Sequence, residues 1–222
     1  RRALSSLLEH LEAERESAEI GAAKAALMRF SDDDLAEEVA EALPKVPASA
    51  RVALLEVLQK RRAEDQTEAV LAQTTADAED VRIAALKAMG RLGNIGDGPA
   101  LVERLLAAES EKERRAAHQA VVAVAEREDN PKKRANAALA ALESAPPHQQ
   151  GLLFELLADI ATDEALETVA QAAKAEQAVV RETAVQALAD WPNVRAAAPL
   201  REVFKSAPTP ELRKTALDGY LR

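Results

Sequence analysis

The three histidines are the side chains best suited to metal binding or proton transfer in this sequence. His118 stands at a position where five other copies of a repeat described below carry apolar residues, so we expect a partly buried, structural histidine. His10 is expected on a helix surface and His148 at a helix start. Because no second histidine stands at ligand spacing from His118 and the chain has no cysteine, the sequence predicts neither a metal site nor a catalytic nucleophile of this kind.

Carboxylates are numerous, but their positions favour structural roles. Asp32, Asp33 and Asp34 stand at a predicted helix start, where capping and the helix dipole account for them without catalysis. The 38 acidic residues outnumber the 29 basic residues, for a net charge of −9, which argues against a general nucleic-acid binder. Residues 1–111 hold 14 basic and 22 acidic residues (net −8), whereas residues 112–222 hold 15 and 16 (net −1).

The elements that must position these side chains are helices. Of the 222 residues, 48% are apolar but only 2% are aromatic, and alanine is abundant. This composition favours helices and excludes a β-sandwich or barrel. Seven glycines leave no glycine-rich phosphate loop, and we expect no cofactor. No apolar run is long enough to span a membrane, so membrane insertion is not expected, and the compartment is not predicted.

An internal repeat organises the whole chain. The segment 81–90 is matched by 180–189 and 212–220, with fainter copies starting near 19, 50, 113 and 149. The second residue of each copy, which we call the anchor, stands at 20, 51, 82, 114, 150, 181 and 213, at intervals of 31, 31, 32, 36, 31 and 32. We interpret the charged segment 126–134 as a loop insertion that explains the long interval.

Each copy predicts a helix with a buried face and an exposed face. Residues three, six and seven places after the anchor are small or apolar and share one helical face, which we expect in the core. The residue five places after the anchor is polar in six copies and should face solvent. This polar column consists of Glu56, Lys87, Gln119, Glu155, Gln186 and Asp218. The anchor itself forms an arginine column of Arg51, Arg82, Arg114, Arg181 and Arg213.

A second amphipathic stretch precedes each copy. These first helices are predicted at about 2–14, 33–43, 65–75, 98–108, 131–143, 162–174 and 195–206. Pro199 lies inside the last of them, so that helix either starts later or kinks. The sequence therefore predicts an all-α chain of seven helix pairs, about fourteen helices, stacked as a single repeat array over residues 1–222.

The segment from Asp80 to Gly93 resembles a HEAT repeat, most closely the short bacterial form named after phycobilin-lyase subunits. The resemblance covers nearly the whole chain and implies an α-α superhelix whose second helices line the concave face. It therefore implies that the polar column is the candidate binding surface. For the arginine column it implies a structural ladder, with Asp80, Glu113 and Glu211 or loop carbonyls of neighbouring repeats as acceptors. An anion-binding stripe is the functional alternative.

Two enzymatic activities known among HEAT-like proteins are disfavoured by particular residues. Iron hydroxylases carry repeated His-Glu pairs, but none of the three histidines here is followed by glutamate. A DNA glycosylase needs a basic concave surface, whereas the polar column holds three acids and one base. The sequence thus predicts a non-enzymatic scaffold that binds a protein partner. The alternatives are an accessory subunit of a bilin-lyase-like enzyme and a spacer region of a larger secreted or envelope-associated protein.

The two ends of the sequence suggest a piece of a longer protein. The chain starts with Arg1-Arg2 instead of methionine, and the seventh copy ends at Leu221-Arg222, before the apolar residue that Trp191 supplies in the sixth. We therefore expect further residues in the parent protein, or an end-to-end contact between copies through the last helix.

Overall fold

The computed structural model describes residues 2–31 and 34–222, and every regular element within them is helical, which confirms the all-α prediction. Asp32 and Asp33 of the predicted capping cluster lie outside the described residues. No helix in the described part of the chain is long and apolar enough to cross a membrane.

The helices alternate as predicted between a first and a second member of each pair. The first members are α1 (Arg2–His10), α3 (Leu35–Ala42), α5 (Thr67–Ala72), α7 (Gly98–Ala107), α10 (Asn136–Ser144), α12 (Asp163–Ala172) and α14 (Ala197–Ser206). The second members are α2 (Ser17–Leu27), α4 (Ala48–Arg61), α6 (Glu79–Leu92), α8 (Glu111–Glu126), α11 (Pro147–Ile160), α13 (Ala178–Ala189) and α15 (Pro210–Leu221). One further helix, α9 (Pro131–Arg134), precedes α10.

Several helix boundaries carry capping features. Thr162 and Thr209 cap α12 and α15, and each hydroxyl accepts a hydrogen bond at 3.2 Å from the backbone N–H three residues later. Helices α4 and α11 end where Arg62 and Ala161 adopt left-handed conformations, with φ of 54° and 55°. Both devices satisfy backbone groups that a helix end leaves without an intrahelical partner.

Two local features refine the sequence-based prediction. Helix α14 begins at Ala197, after a 3-10 turn over Val194–Ala196, so Pro199 stands in the first turn, where its missing N–H costs nothing. The later start, and not a kink, explains this proline. The insertion at 126–134 is not all loop, because it contains α9, which Asn130 caps by accepting a hydrogen bond from the Lys132 N–H at 3.1 Å.

Successive second helices pack through the predicted core columns. The residue three places after the anchor is buried in every copy, from Ala23 to Ala216. The residue seven places after it is buried from Leu27 to Leu188, but Tyr220 is 47% exposed, so the expectation of burial was wrong there. The physical reason is that α15 is the last helix described, and no later helix covers it.

The chain forms two compact units. Unit 1 comprises Arg1–Asn94 and Ala107–Val124, and holds α1 to α6 with most of α8. Unit 2 comprises Ile95–Leu106 and Ala125–Arg222, and holds most of α7 with α9 to α15. Each unit has a fully buried apolar core, which includes Leu54 and Leu86 in unit 1 and Phe154 and Leu188 in unit 2. The single array over residues 1–222 stays a prediction.

Glycines allow close approach of second helices in both units. A Cβ added at Gly219 of α15 would lie 2.5 Å from the Ala189 Cα of α13, closer than non-bonded atoms can approach. A Cβ at Gly90 of α6 would lie 3.3 Å from the Ala120 Cα of α8, a tight contact. The absence of a side chain at Gly219 is therefore required by the packing of α13 against α15.

Candidate functional site

The polar column lies on the second helices at the surface of each unit. Lys87, Gln119, Glu155, Gln186 and Asp218 are exposed, as the solvent-facing interpretation requires. Glu56 differs, because it is only partly exposed and its side chain is held by an ion pair. The six residues occupy equivalent positions on α4, α6, α8, α11, α13 and α15.

A groove in unit 1 brings two members of the polar column together. It lies between α4 and α6 and has a volume of about 550 Å³. On α4, residues at helical spacing line it, and the same spacing recurs on α6, so each helix contributes one continuous stripe. The lining residues are Ala48, Ser49, Val52, Glu56, Gln59, Ala78, Asp80, Ile83, Ala84 and Lys87.

The charges of this α4–α6 groove are partly compensated. Lys24 Nζ donates to Glu56 Oε2 at 2.6 Å, which joins α2 to α4 and offsets the charge of Glu56. Asp80 and Lys87 are exposed at opposite ends of the α6 stripe. Asp80 is therefore the more accessible acid of the groove, whereas Glu56 is already engaged by a cation.

Apolar and hydrogen-bonding side chains complete the groove. Val52 and Ile83 line it from α4 and α6 and are only partly buried, so apolar surface remains available for contact. Gln59 Nε2 donates to the Lys87 carbonyl at 3.0 Å, which ties the two helices together at one end. A groove with apolar walls and a few charged groups suits a peptide segment better than a small metal or phosphate ligand.

Several residues in or beside the groove were not among the residues singled out from the sequence. Lys24 had a detectable signal, since it is a cation at a column where the other copies carry mostly apolar residues such as Leu55 and Leu86. Val52, Gln59 and Ile83 had none, because partial burial between two helices depends on how far apart the helices pack.

The rest of the polar column makes local interactions or faces solvent. Gln186 Nε2 donates to Asp190 Oδ2 at 2.6 Å within one turn of α13. Gln119, Glu155 and Asp218 are exposed on three other second helices. Their role as a binding surface stays a prediction.

Arg82 anchors the contact between α6 and α8 in unit 1. Its Nε and Nη2 donate to Glu113 Oε1 and Oε2 at 2.7 and 2.9 Å, a bidentate pair with a carboxylate whose side chain is only 6% exposed. Its Nη1 donates to the carbonyls of Ala76 and Asp77 at 3.0 and 2.9 Å. The hydrogen bonds that Arg82 donates to Glu113 are the main cause that raises the pKa of Arg82, against an opposing effect of desolvation.

The other arginines of the column bond mainly to the loop before their own helix. Arg51 donates to the Val46 carbonyl at 3.0 Å, and Arg213 to the Ala207 carbonyl at 3.5 Å. Arg114 instead donates to Glu111 within α8 at 2.9 Å. The loop carbonyls thus belong to the same repeat as the arginine, and the ladder joins a helix to its preceding turn more than it joins neighbouring repeats.

Arg181 in unit 2 shares only half of the Arg82 arrangement. Its Nη1 donates to the carbonyls of Ala175 and Glu176 at 2.8 and 3.0 Å, just as Arg82 does to the equivalent carbonyls. Its Nε is buried and has no hydrogen-bond partner among the described residues. Leu212 occupies the position on α15 that Glu113 has on α8, one residue before the next anchor.

The histidines lie where the sequence places them. His118 is partly buried on α8, and His148 is exposed at the start of α11. His10 is exposed, with its Nε2 3.4 Å from Glu19 Oε2. Among the described residues, no three histidine, aspartate or glutamate side chains are grouped so that they could hold a metal ion.

Comparison with known proteins supports the repeat assignment. Residues 119–220 match the family described as HEAT repeats. No curated protein matches the chain. The matched region includes α11, α13 and α15, with two members of the arginine column and four members of the polar column.

Two solved structures are similar to this chain at low sequence identity. An archaeal HEAT-like repeat protein from Thermococcus onnurineus NA1 is 14% identical, with a TM-score of 0.55 over 98% of this chain and 95% of that chain. Human deoxyhypusine hydroxylase in complex with glycerol is also 14% identical, over 99% and 96% of the two chains, with a TM-score of 0.44. The likeness to the archaeal protein, together with the helix pairs, establishes an α-α solenoid fold.

Proposed function

We propose that the protein is a non-enzymatic scaffold that binds a segment of another protein in the α4–α6 groove of unit 1. The observation that carries this proposal is the groove itself, which combines apolar walls with Asp80, Glu56 and Lys87 at its edges. HEAT repeats commonly serve as interaction surfaces, and the match over residues 119–220 is consistent with this role.

The charge distribution suggests the chemistry of the partner. Unit 1 holds 16 basic and 21 acidic residues, a net charge of −5, so the field around it favours a basic or neutral segment and disfavours a phosphate backbone. Because Lys24 already compensates Glu56, Asp80 is the acid best able to meet a lysine or arginine of the partner. The apolar walls favour an aliphatic residue next to that cation.

Selection from a random peptide library displayed on phage, with the whole chain as the target, tests this proposal. We expect the selected peptides to combine basic and aliphatic residues. The Asp80→Lys variant should weaken them, mainly through a slower association rate, and Ile83→Ala should weaken them through faster dissociation. Asp218→Lys, at an exposed position of the polar column in unit 2, is the matched control and should leave binding unchanged. Peptides whose affinity is indifferent to both groove variants would place the binding surface elsewhere.

The exclusion of nucleic acid is tested separately. In a mobility-shift titration at low salt, we expect no tight binding of duplex DNA. Tight, salt-sensitive binding would contradict the acidic character assigned to unit 1.

We further propose that copies of the chain can associate end to end. Leu217, Tyr220 and Leu221 of α15 are 38%, 47% and 72% exposed, an unusual amount of apolar surface for one helix. Arg213 on α15 has the position of Arg82, and Glu19 on α2 has the position of Glu113. A second copy that packs its α2 against α15 would thus repeat the ion pair of the α6–α8 contact.

Sedimentation over a range of protein concentrations tests this association. We expect the sedimentation coefficient to rise with concentration, and Arg213→Glu to abolish that rise. The double variant Arg213→Glu with Glu19→Arg should restore it by exchanging the charges. A concentration-independent coefficient would overturn the proposal.

Finally, we propose that the repeats are of the short bacterial type named after phycobilin-lyase subunits. The support is the sequence of α6, from Asp80 to Gly93. This assignment concerns the type of repeat, and it brings no bilin chemistry with it, since no residue of the α4–α6 groove indicates a bilin site.

A further inference from the structure

Three arginines of the column, Arg51, Arg114 and Arg181, have a buried Nε without a hydrogen-bond partner among the described residues, and of these Arg181 lines a cavity. In unit 1, the Nε and Nη2 edge of Arg82 is occupied by the Glu113 carboxylate. In unit 2, Arg181 is held in the same way by two loop carbonyls, but its Nε is buried without a partner among the described residues, and Leu212 replaces the glutamate. A buried donor without an acceptor is unfavourable, so this edge favours binding of an external acceptor.

Arg181 lines a cavity in unit 2. This cavity has a volume of about 350 Å³ and lies among the α12–α13 loop, the end of α14 and the start of α15. Its polar lining consists of Arg181, Lys174, Glu176, Glu202 and Ser206. Leu212 lines the same cavity.

From this arrangement we propose that the cavity binds a single carboxylate carried by a partner polypeptide, with Arg181 as its main ligand. The precedent is within the chain, because Glu113 already presents a carboxylate to Arg82 in the geometry that Arg181 leaves open. Lys174 adds a second positive charge to the lining. The site is separate from the α4–α6 groove, and its existence does not depend on that proposal.

The remaining lining selects among anions. Ala173, Val203 and Ala207 are buried apolar residues of the cavity wall, which suit the aliphatic stem of a glutamate or of a C-terminal residue. Glu176 and Glu202 add negative charge, although Lys205 Nζ donates to Glu202 at 3.2 Å and reduces that effect. Two nearby carboxylates repel a doubly charged phosphate more strongly than a singly charged carboxylate, so the site should prefer the carboxylate.

Nuclear magnetic resonance of the Arg181 Nε–H group tests the proposal on the whole chain, with the signal assigned by its loss in Arg181→Lys. We expect butyrate, which matches a glutamate side chain, to shift this signal in a saturable manner at millimolar concentration. Butyramide, its neutral isostere, should not shift it, and inorganic phosphate should shift it less. Lys174→Gln should weaken butyrate binding about two- to fivefold. The same substitution at exposed Arg213, Arg213→Lys, is the matched control and should leave the titration unchanged.

The Leu212→Glu variant provides an independent test. It places a carboxylate where Glu113 stands in unit 1, so it should abolish the response to butyrate and melt at a higher temperature than Leu212→Gln. If Leu212→Glu does not fold, the butyrate and butyramide titrations of the unmodified chain decide. A missing shift, an equal shift with butyramide, or a stronger response to phosphate would overturn the carboxylate site.

Two peptides distinguish the sources of the carboxylate. Acetyl-Ala-Ala-Glu-Ala-Ala-amide presents only a side-chain carboxylate, and acetyl-Ala-Ala-Ala-Ala with a free C-terminus presents only a terminal one. Competition of the first with butyrate would indicate an internal glutamate, and competition of the second would indicate a chain end. Failure of both to compete would overturn recognition of a polypeptide.

Discussion

The α6–α8 contact of unit 1 and the α13–α15 contact of unit 2 are built on the same plan but completed differently. In both, an arginine at the anchor donates its Nη1 to two carbonyls of the preceding loop. In unit 1 the other edge of the guanidinium is closed by Glu113, whereas in unit 2 Leu212 stands at that position and the Arg181 Nε has no partner among the described residues.

The difference separates the two roles of the arginine column. The bonds to the loop recur wherever the helix follows the same turn, so they belong to the repeat. The carboxylate depends on one side chain of the next helix, so it can be present in one copy and absent in another. A structural ladder and an anion site are therefore compatible within one column, as Arg82 and Arg181 illustrate.

The largest expected effect concerns the cores, which should be equivalent in the two units. Leu188 in unit 2 and Met89 in unit 1 are fully buried at the same column. Leu188→Ala and Met89→Ala should each lower the free energy of unfolding by about 2–5 kcal/mol, as cavity-forming substitutions do. Denaturant titration measures both. Gln186→Ala, at an exposed site two residues away, should stay within about 0.5 kcal/mol. Comparable losses for Gln186→Ala and Leu188→Ala would show that the register is wrong.

Removal of the Glu113 carboxylate should make the two arginine sites alike. Arg82 and Glu113 side chains are 15% and 6% exposed, so Glu113→Leu leaves a largely buried guanidinium edge without its acceptor. We expect a loss of about 3 kcal/mol in unfolding free energy. The control is Glu109→Ala, since Glu109 lies 3.8 Å from Arg82 but is 86% exposed, and it should change stability by less than about 0.5 kcal/mol. If the variant at position 113 is as stable as this control, the ion pair is not the element that distinguishes the units.

The smallest expected effects come from the glycines at the two contacts. Gly219→Ala forces α13 and α15 apart and should cost about 1–3 kcal/mol. Gly90→Ala meets Ala120 at 3.3 Å, where better helix propensity offsets tight packing, so the change should be below about 1 kcal/mol. Gly21, whose added Cβ would meet nothing within 4 Å, is the reference, and Gly21→Ala should stabilise the chain by up to about 1 kcal/mol. Thermal melting of the three variants should preserve this order, and a neutral Gly219→Ala would refute the close contact.

The repeat period and the hydrophobic pattern together predicted most of the fold. The pairs of helices, their approximate bounds and the buried columns all depend on spacing along one helix, which is a local property of the sequence. Two features of the fold did not follow from this spacing. Helix α9 required recognition of Asn130 before Pro131 as a helix start, and the exposure of Tyr220 depends on which helices pack against α15.

The candidate sites were only partly predictable, because they depend on neighbours from other repeats. The sequence indicated Glu56 and Lys87 as exposed polar residues, but not that Lys24 pairs with Glu56 or that Asp80 is the more accessible acid of the groove. It indicated Glu113 as an acceptor, and the structure supplied its bidentate geometry.

By itself, then, the amino-acid sequence determined that this protein is helical, repetitive, acidic and built from pairs, since composition and periodicity act within each helix. Only the tertiary structure decided which arginine receives a carboxylate, where two helices leave a groove, and which glycine permits a close approach. These outcomes depend on distances of a few ångströms between residues about 30 positions apart. The hydrophobic pattern of one repeat does not determine how closely its helices pack against those of the next repeat.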